Sequence, residues 1–517
     1  MVTNLADKGF LVRLFSVALF VFLAVAGIGF VLYLFVIADS AYMFVLAIAF
    51  ATLTVVAGFF NIFAALVYYR SYFYDRYLEK INRALKRSGR KPTVAVVMPV
   101  FNEDAALVER NMLRLKDMKY PEDKIKFYMI DDSTVQSTAS ELERFSKANG
   151  IVYVHRTARK GFKAGALNNM LKRSKEELIA IFDYDEYLTN TNFLLDLIPY
   201  FDDERLAYVQ TEKSTFNGNF FANAVKLFDG FFFKFIQTAR ALNNTAIYAG
   251  SCGLIRRKAI DAIGGFPEYV IEDTFFSFES DRRNFRSIYI PKVYAYGKPI
   301  STFTALAKQQ WRYNYGDTQF ISYFFKFRKS MKSSPLTRMD YITHGFGLNY
   351  LSIVLILFTL VSVLIVFSSL PFLHMTIRHF FNQTYIGLDL EIIGIIAFMA
   401  SLLAPVMLAK IYFKSTMKGF MVFVLNFSLA VIRTKAAIAA LRHKNPSFNW
   451  NRKNEKPRPH SLMSSLVNTK TELTLSLGLF SLGALSVLYF HNIAGGMWLL
   501  WYGVMYSAAT VLFYRYG

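Results

Sequence analysis

The sequence predicts an α/β domain inserted between α-helical transmembrane segments. Three observations carry that expectation. Long stretches without Asp, Glu, Lys or Arg lie near both ends of the chain. Between them, short β-rich apolar runs alternate with helical patterns. The formal net charge of +22 is crowded beside the apolar stretches rather than spread evenly.

Residues 14–38 and 40–69 are free of those four charged types and are separated by Asp39. A helix needs about 20 apolar residues to cross a bilayer, because lipid satisfies no backbone polar group. Region 1–69 therefore reads as two membrane helices. A signal peptide is the weaker alternative for the first, since the apolar core of such a peptide is only ~7–15 residues. Charge-free stretches return at 341–377, at 392–409 with Pro405 inside, and at 473–514, the last long enough for two helices. Residues 419–432 are apolar but brief, and Arg433, Lys435 and Arg442 follow. They read as an interfacial helix rather than a span. The expectation is six spans, four of them in region 341–517, with the interfacial helix and a cytoplasmic loop at about 419–470. No expected span contains a buried charge that would mark an ion path.

Lys and Arg near span ends set orientation. Eight lie between residues 70 and 91 against two acids, and six more lie between 442 and 458. The opposite loops are nearly free of them. A multi-pass protein of the cell membrane follows, with both termini and the middle domain cytoplasmic. The basic clusters also attract anionic lipid. No basic and aromatic module of the nucleic-acid-binding kind is visible, so nucleic acid is not an expected partner. With 54% hydrophobic residues the chain is not a disordered one. Its single cysteine, Cys252, excludes an intrachain disulfide.

The middle domain spans 70–300, and an amphipathic segment follows at 301–340. Strand patterns occur at 93–100, 125–130, 151–154, 178–182 and 206–210, with helical patterns between them. This alternation predicts a parallel sheet covered on both faces. Ligands of such sheets bind at the carboxyl ends of the strands. The first strand ends in Pro99, Val100, Phe101, Asn102, Glu103 and Asp104, and the second in Asp131, Asp132 and Ser133. Lys160 and Lys163 open a helix, and Asp183 and Asp185 follow the fourth strand. Carboxylates at i and i+2 of extended chain face the same way and suit a hard divalent cation. Lysines beside a helix N-terminus suit a diphosphate. Each group also has a plain reading as a turn, a cap or a solvated charge. Their convergence on one sheet edge implies a nucleotide-diphosphate site. No GxGxxG and no P-loop pattern occurs there.

Two later segments add chemistry. Glu272 and Asp273 follow a Gly-Gly-Phe-Pro turn, and a carboxylate that holds no metal can deprotonate a hydroxyl. Acids favoured by a helix N-terminus are the alternative. Gln309, Arg312, Tyr313 and Gly316 share one helix face. That face can neutralise a leaving diphosphate and stack on a sugar, or it can lie on a membrane surface.

In this order, over residues 91–453, the motifs resemble the membrane-embedded, inverting family 2 glycosyltransferases of the cellulose synthase and hyaluronan synthase group. The resemblance implies a GT-A type nucleotide-diphospho-sugar transferase fold and assigns roles to particular residues. Pro99, Phe101, Asn102 and Glu103 would line the base pocket. Asp131 and Asp132 would meet uridine and phosphate, and Lys163 begins the Lys-Ala-Gly-Ala-Leu-Asn stretch. Asp183 and Asp185 would hold Mg2+ or Mn2+, and Asp273 would be the catalytic base. Gln309, Arg312 and Lys453 fall to the donor side; Glu272, Asp273, Trp311 and Tyr313 fall to the acceptor side. Tyr313 stands where the family has Trp, and Ile271 where it has Thr or Ser. Phe448 to Lys453 is similar to the family's gating loop, with Trp450 and Asn451 departing from it. A C-terminal cyclic-dinucleotide-binding domain is not expected.

The implied activity is polymerisation of a β-linked polysaccharide from a nucleotide sugar, a UDP-hexose above all, with translocation across the membrane. The alternative is transfer of one sugar to a membrane lipid. The expected partners are the nucleotide-sugar donor, a growing glycan or lipid acceptor and the bilayer; a homo-oligomer is compatible with the sequence. A transporter with a nucleotide-sensing domain is the non-enzymatic reading, and it leaves Asp273 without a task.

Overall fold

The computed structural model describes residues 41–85, 88–157, 159–368, 414–442, 461–491 and 493–517, with Lys410 and isolated residues between 17 and 31. The segment expected as the first span lies largely outside the described residues. The segment at 392–409 and the loop containing Phe448 and Lys453 lie wholly outside them.

Helix α1 (Ala41–Ser71) leads toward an α/β head. Strand β1 (Val94–Val100) pairs in parallel with β2 (Ile125–Asp131), with helix α2 (Ala105–Lys116) between them in sequence. Helix α3 (Gln136–Ala148), β3 (Val152–His155), α4 (Phe162–Leu171) and β4 (Leu178–Ile181) follow. β1 shows why these residues form a central strand. Val94, Val96 and Met98 pack on one face with Val108, Met112 and Leu115 of α2. Ala95 and Val97 pack on the other with Ala164, Leu167 and Met170 of α4. Both faces are buried, so the run is continuously apolar rather than alternating.

The sheet has eight strands, in the order β3-β2-β1-β4-β7-β6-β8-β5. The remaining strands are β5 (Tyr187–Leu188), β6 (Leu206–Thr215), β7 (Gly253–Arg256) and β8 (Arg286–Gly297). Its β3-β2-β1-β4 half is parallel, as expected. The other half corrects the expectation: β7 runs antiparallel to both β4 and β6, and β5 antiparallel to β8. β7 has only four residues, and β8 carries Pro291 and Lys292 with a register shift beside them, so neither has a strand-like pattern. This mixed sheet with helices on both faces is a GT-A type, Rossmann-like architecture.

Helix α5 (Phe220–Phe231) and helix α6 (Glu272–Arg282) complete the head. Helix α7 (Phe303–Phe327) leads to α8 (Pro335–Ser368). Then come α9 (Thr416–Leu441), α10 (Lys470–Leu488) and α11 (Ile493–Tyr516). Among the described residues three helical stretches are long and apolar enough to cross a membrane: Thr416–Leu441, Lys470–Leu488 and Gly495–Tyr516. α1 and α8 hold the shorter apolar stretches Phe44–Val55 and Leu351–Leu364.

α9 departs from the short interfacial helix expected at 419–432. It runs unbroken through Arg433, which is fully buried. Gln310 Oε1 of α7 accepts from Arg433 Nε at 3.1 Å and Nη2 at 2.8 Å, and Asn426 Oδ1 accepts from Nη1 at 3.1 Å. These bonds let a guanidinium sit buried within a largely apolar helix, so it does not end there. A candidate span therefore does contain a buried charge, against expectation. The head and the candidate spans meet in a shared apolar cluster. Phe221, Val225, Ile300, Phe303 and Leu306 pack with Leu425, Leu429, Ala509, Leu512 and Phe513.

Candidate active site

The carboxyl ends of β1, β2 and β4 converge, and α4 starts beside them. Asn102 follows β1 with φ 52°, a left-handed conformation that Asn tolerates better than most residues. Its Oδ1 accepts from Thr134 N at 2.8 Å and Val135 N at 3.1 Å, and its N–H donates to Ser133 Oγ at 2.8 Å. Asn102 thus staples the turn after β1 to the turn after β2. Phe101 and Glu103 flank it. The Arg159 guanidinium lies over the Phe101 ring, 3.5 Å from its centre. Burial pushes Arg159 down to about 10.

Asp131 is fully buried; its Oδ1 accepts from Ser133 N at 2.8 Å and its Oδ2 from Tyr153 OH at 2.6 Å. Asp132 takes two bonds from Arg156, at 2.6 Å from Nε and 2.5 Å from Nη2. Arg156 also donates to the carbonyls of Lys160 and Phe162. The pair therefore shapes the loop that delivers Lys163 from the first turn of α4.

Lys163 Nζ donates to Asp183 Oδ1 at 2.6 Å and to the Gly250 carbonyl at 2.9 Å. Asp183 Oδ2 lies 3.5 Å from Lys213 Nζ and 3.0 Å from Ser251 Oγ. Lys213 also meets Ser251 Oγ at 2.5 Å and Glu186 Oε1 at 3.2 Å. Burial lowers both lysines, but the Asp183 charge, with Glu272 for Lys163 and Glu186 for Lys213, outweighs it and raises them. Asp185 is buried and accepts from Lys298 N at 3.3 Å. Asp183 and Asp185 offer hard carboxylate oxygens, the donors Mg2+ and Mn2+ prefer. No cluster of three or more His, Cys, Asp or Glu joins them among the described residues. Two carboxylates that leave the remaining positions to substrate phosphates and water fit such an ion.

Asp273 sits in the first turn of α6, its Oδ1 accepting from Thr274 N at 2.8 Å. Its other oxygen faces Gly250, whose φ is +82° and where a Cβ would come within 3.1 Å of Asp273 Oδ2 and 3.8 Å of Lys163 Nζ. Gly250 is thus both conformationally required and the floor between Asp273 and Lys163. Burial raises Asp273; Glu272 is pushed up to about 7 by burial first and the Asp273 charge second. Transfer that uses Asp273 as base is expected to fall on the acid side at a higher pH than an ordinary Asp would give, because burial raises Asp273. The sign for stability is separate. A carboxyl raised from its ordinary 4.5 burdens the fold only in its ionised form, so the penalty grows between pH 4.5 and about 7. A gain in melting temperature for Glu272→Gln is expected above pH 7 and absent near pH 4. Equal melting temperatures of wild type and variant above pH 7 would contradict a raised Glu272.

On α7, Gln309 Nε2 donates to Tyr313 OH at 3.2 Å, and the Arg312 guanidinium lies 5.3 Å from the Tyr313 ring centre. Its charge acts on both Glu272 and Asp273. A Cβ at Gly316 would come within 2.7 Å of Ile271, so the missing side chain lets α7 seat directly on the residue before Glu272. Tyr313 packs in the cluster that includes Ile271 and Phe275. Trp311 lies elsewhere, stacked on Tyr315 at 5.3 Å and packed against the α9 residues Ala436 and Ala440. The structure therefore gathers Lys163, Asp183, Glu272, Asp273, Arg312 and Tyr313 around Gly250, with Trp311 at the seam with α9. Lys213, Gly250 and Ser251 were not anticipated. Lys213 lies beyond the expected strand end at residue 210, on the part of β6 that continues to Thr215.

Residues 95–264 match the family model described as Glycosyl transferase family 2. The chain is 28% identical over 235 residues to a UDP-forming cellulose synthase catalytic subunit of Xanthomonas axonopodis pv. citri (strain 306), covering 44% of this chain and 32% of that protein. It is 27% identical over 238 residues to a beta-monoglucosyldiacylglycerol synthase of Nostoc sp. (strain PCC 7120), covering 45% and 50%. The match thus spans about a third to a half of these relatives. Among solved structures it is similar to the mannosyltransferase PcManGT from Pyrobaculum calidifontis in complex with GDP-Man and Mn2+, with 17% identity, 74% and 99% coverage and a TM-score of 0.48.

Proposed function

Because residues 95–264 match the family model described as Glycosyl transferase family 2, we propose that the chain transfers a hexose from a nucleotide-diphosphate sugar with inversion, and extends a β-linked glycan that passes between its membrane helices. The observation that carries this reading is the meeting of Asp273 and Lys163 across Gly250. A proton acceptor and a phosphate-neutralising cation stand on either side of one small residue, where an anomeric carbon would react.

The donor base takes the Phe101 and Asn102 turn, and Arg159 closes over it. Lys163 and Arg312 neutralise the diphosphate as its bond to the sugar breaks. Asp183 and Asp185 would hold Mg2+ or Mn2+, which would add Lewis-acid neutralisation of that diphosphate. Asp273 takes the proton of the acceptor hydroxyl, whose oxygen attacks the anomeric carbon from the side opposite the leaving group. Tyr313 offers a ring on which an acceptor sugar can stack. A lipid acceptor is the second reading, favoured by the likeness to the beta-monoglucosyldiacylglycerol synthase.

Purified full-length protein in nanodiscs, given labelled nucleotide sugars with Mg2+ or Mn2+, tests both. A product of many linked sugars is the expected result. A single-sugar lipid supports the second reading, and no transfer from any donor overturns both.

A further inference from the structure

Asp317 stands one residue beyond Gly316 on α7. It is 8% exposed, and among the described residues no hydrogen bond or ion pair holds it. Three other buried carboxylates of the head are satisfied: Asp132 by Arg156, Glu186 by Lys213 and Ser251, and Glu279 by Arg282 and Arg283. A buried carboxyl without a partner is costly and calls for an explanation.

Its placement supplies one. On a helix of 100° per residue, Asp317 projects between Tyr313 and Gln310. Tyr313 belongs to the cluster around Ile271, and Gln310 bonds Arg433 of α9. Asp317 therefore lies on the strip of α7 between the catalytic carboxylates and the membrane helices. Gly316 fixes the strip's height, because it seats on Ile271, two residues before Asp273. Asp273 is the charged group acting on Asp317, and burial with that charge holds Asp317 well above the ordinary carboxyl range.

We propose that Asp317 is a second acceptor-binding carboxyl, holding a hydroxyl adjacent to the one Asp273 deprotonates and thereby favouring a sugar diol over a lipid with one free hydroxyl. This rests on the reading of Asp273 as the base. Two carboxyl groups set on one pyranose can meet neighbouring hydroxyls. Acting as donor or acceptor, Asp317 finds a partner on the sugar that the protein does not provide. A diacylglycerol offers one hydroxyl, which Asp273 already uses.

The test uses full-length protein in nanodiscs, the donor turned over fastest in the panel above, and two acceptors, cellobiose and dioleoylglycerol. Asp317→Ala is expected to raise KM for cellobiose at least 10-fold with a much smaller change in kcat, while UDP affinity stays within twofold. Asp317→Asn, which keeps the shape and can still hydrogen-bond, is expected to recover part of that loss. Unchanged KM in both variants overturns the proposal. So does joint loss of UDP affinity and melting temperature, which would mark a structural role. Wild type that prefers dioleoylglycerol, with Asp317→Ala indifferent, overturns it too. Wild type that transfers to neither acceptor instead removes the reading of the activity on which it rests.

Discussion

Asp273→Asn is expected to lower transfer by about 10²- to 10⁴-fold, the range for loss of a positioned general base. UDP affinity should remain within about twofold, since Asp273 holds none of the donor groups. The amide keeps the bond from Thr274 N to Oδ1, so α6 should still begin where it does. What is lost is the oxygen facing Gly250, which an amide fills with a poor base or with an N–H group. Steady-state rates at saturating donor, beside UDP binding measured directly, separate the two effects. Transfer surviving within threefold would mean that another group takes the proton.

The second large effect is expected at Asp183. This carboxylate is shared by Lys163 at 2.6 Å and Lys213 at 3.5 Å, and Ser251 leans on the same oxygen as Lys213. Asp183→Asn leaves two partly buried ammonium groups facing a neutral amide. Breaking a fully buried pair costs about 3–5 kcal/mol. Asp183 is 31% exposed, so screening should reduce this to about 1–3 kcal/mol. A melting temperature several degrees lower is therefore expected, together with a loss of transfer of at least 10²-fold. Glu186 still holds Lys213, so the damage should centre on Lys163. Unaltered melting and transfer together would show that the two lysines need no common counter-ion.

Much of this site could be read before any coordinates. Runs such as Val94–Val100 announce a strand buried on both faces, because nothing polar interrupts them. The acids after β4 and at the start of α6 stand at the ends of apolar runs, where ionised side chains need a reason to be. What stayed hidden has physical causes. Lys213 is one lysine among many until β6 brings it beneath Asp183. β8 contains Pro291 and Lys292 and lacks alternation, since its bulged middle is held by pairing rather than by a buried face. Arg433 looks like the end of an apolar helix because a sequence cannot display the Gln310 oxygen that lets the helix continue. Asp317 carries no motif; its isolation is a property of the packed helix.

The apolar cluster joining Phe221, Phe303 and Leu306 to Leu425, Leu512 and Phe513 bears on how this protein can be handled. A fragment ending after α7 would present those side chains to water as a sticky patch. It would also strand Gln310 without the guanidinium it faces. Trimming the chain to a water-soluble catalyst should therefore yield aggregates, and detergents that strip α9 or α11 from the head should inactivate it before they unfold it.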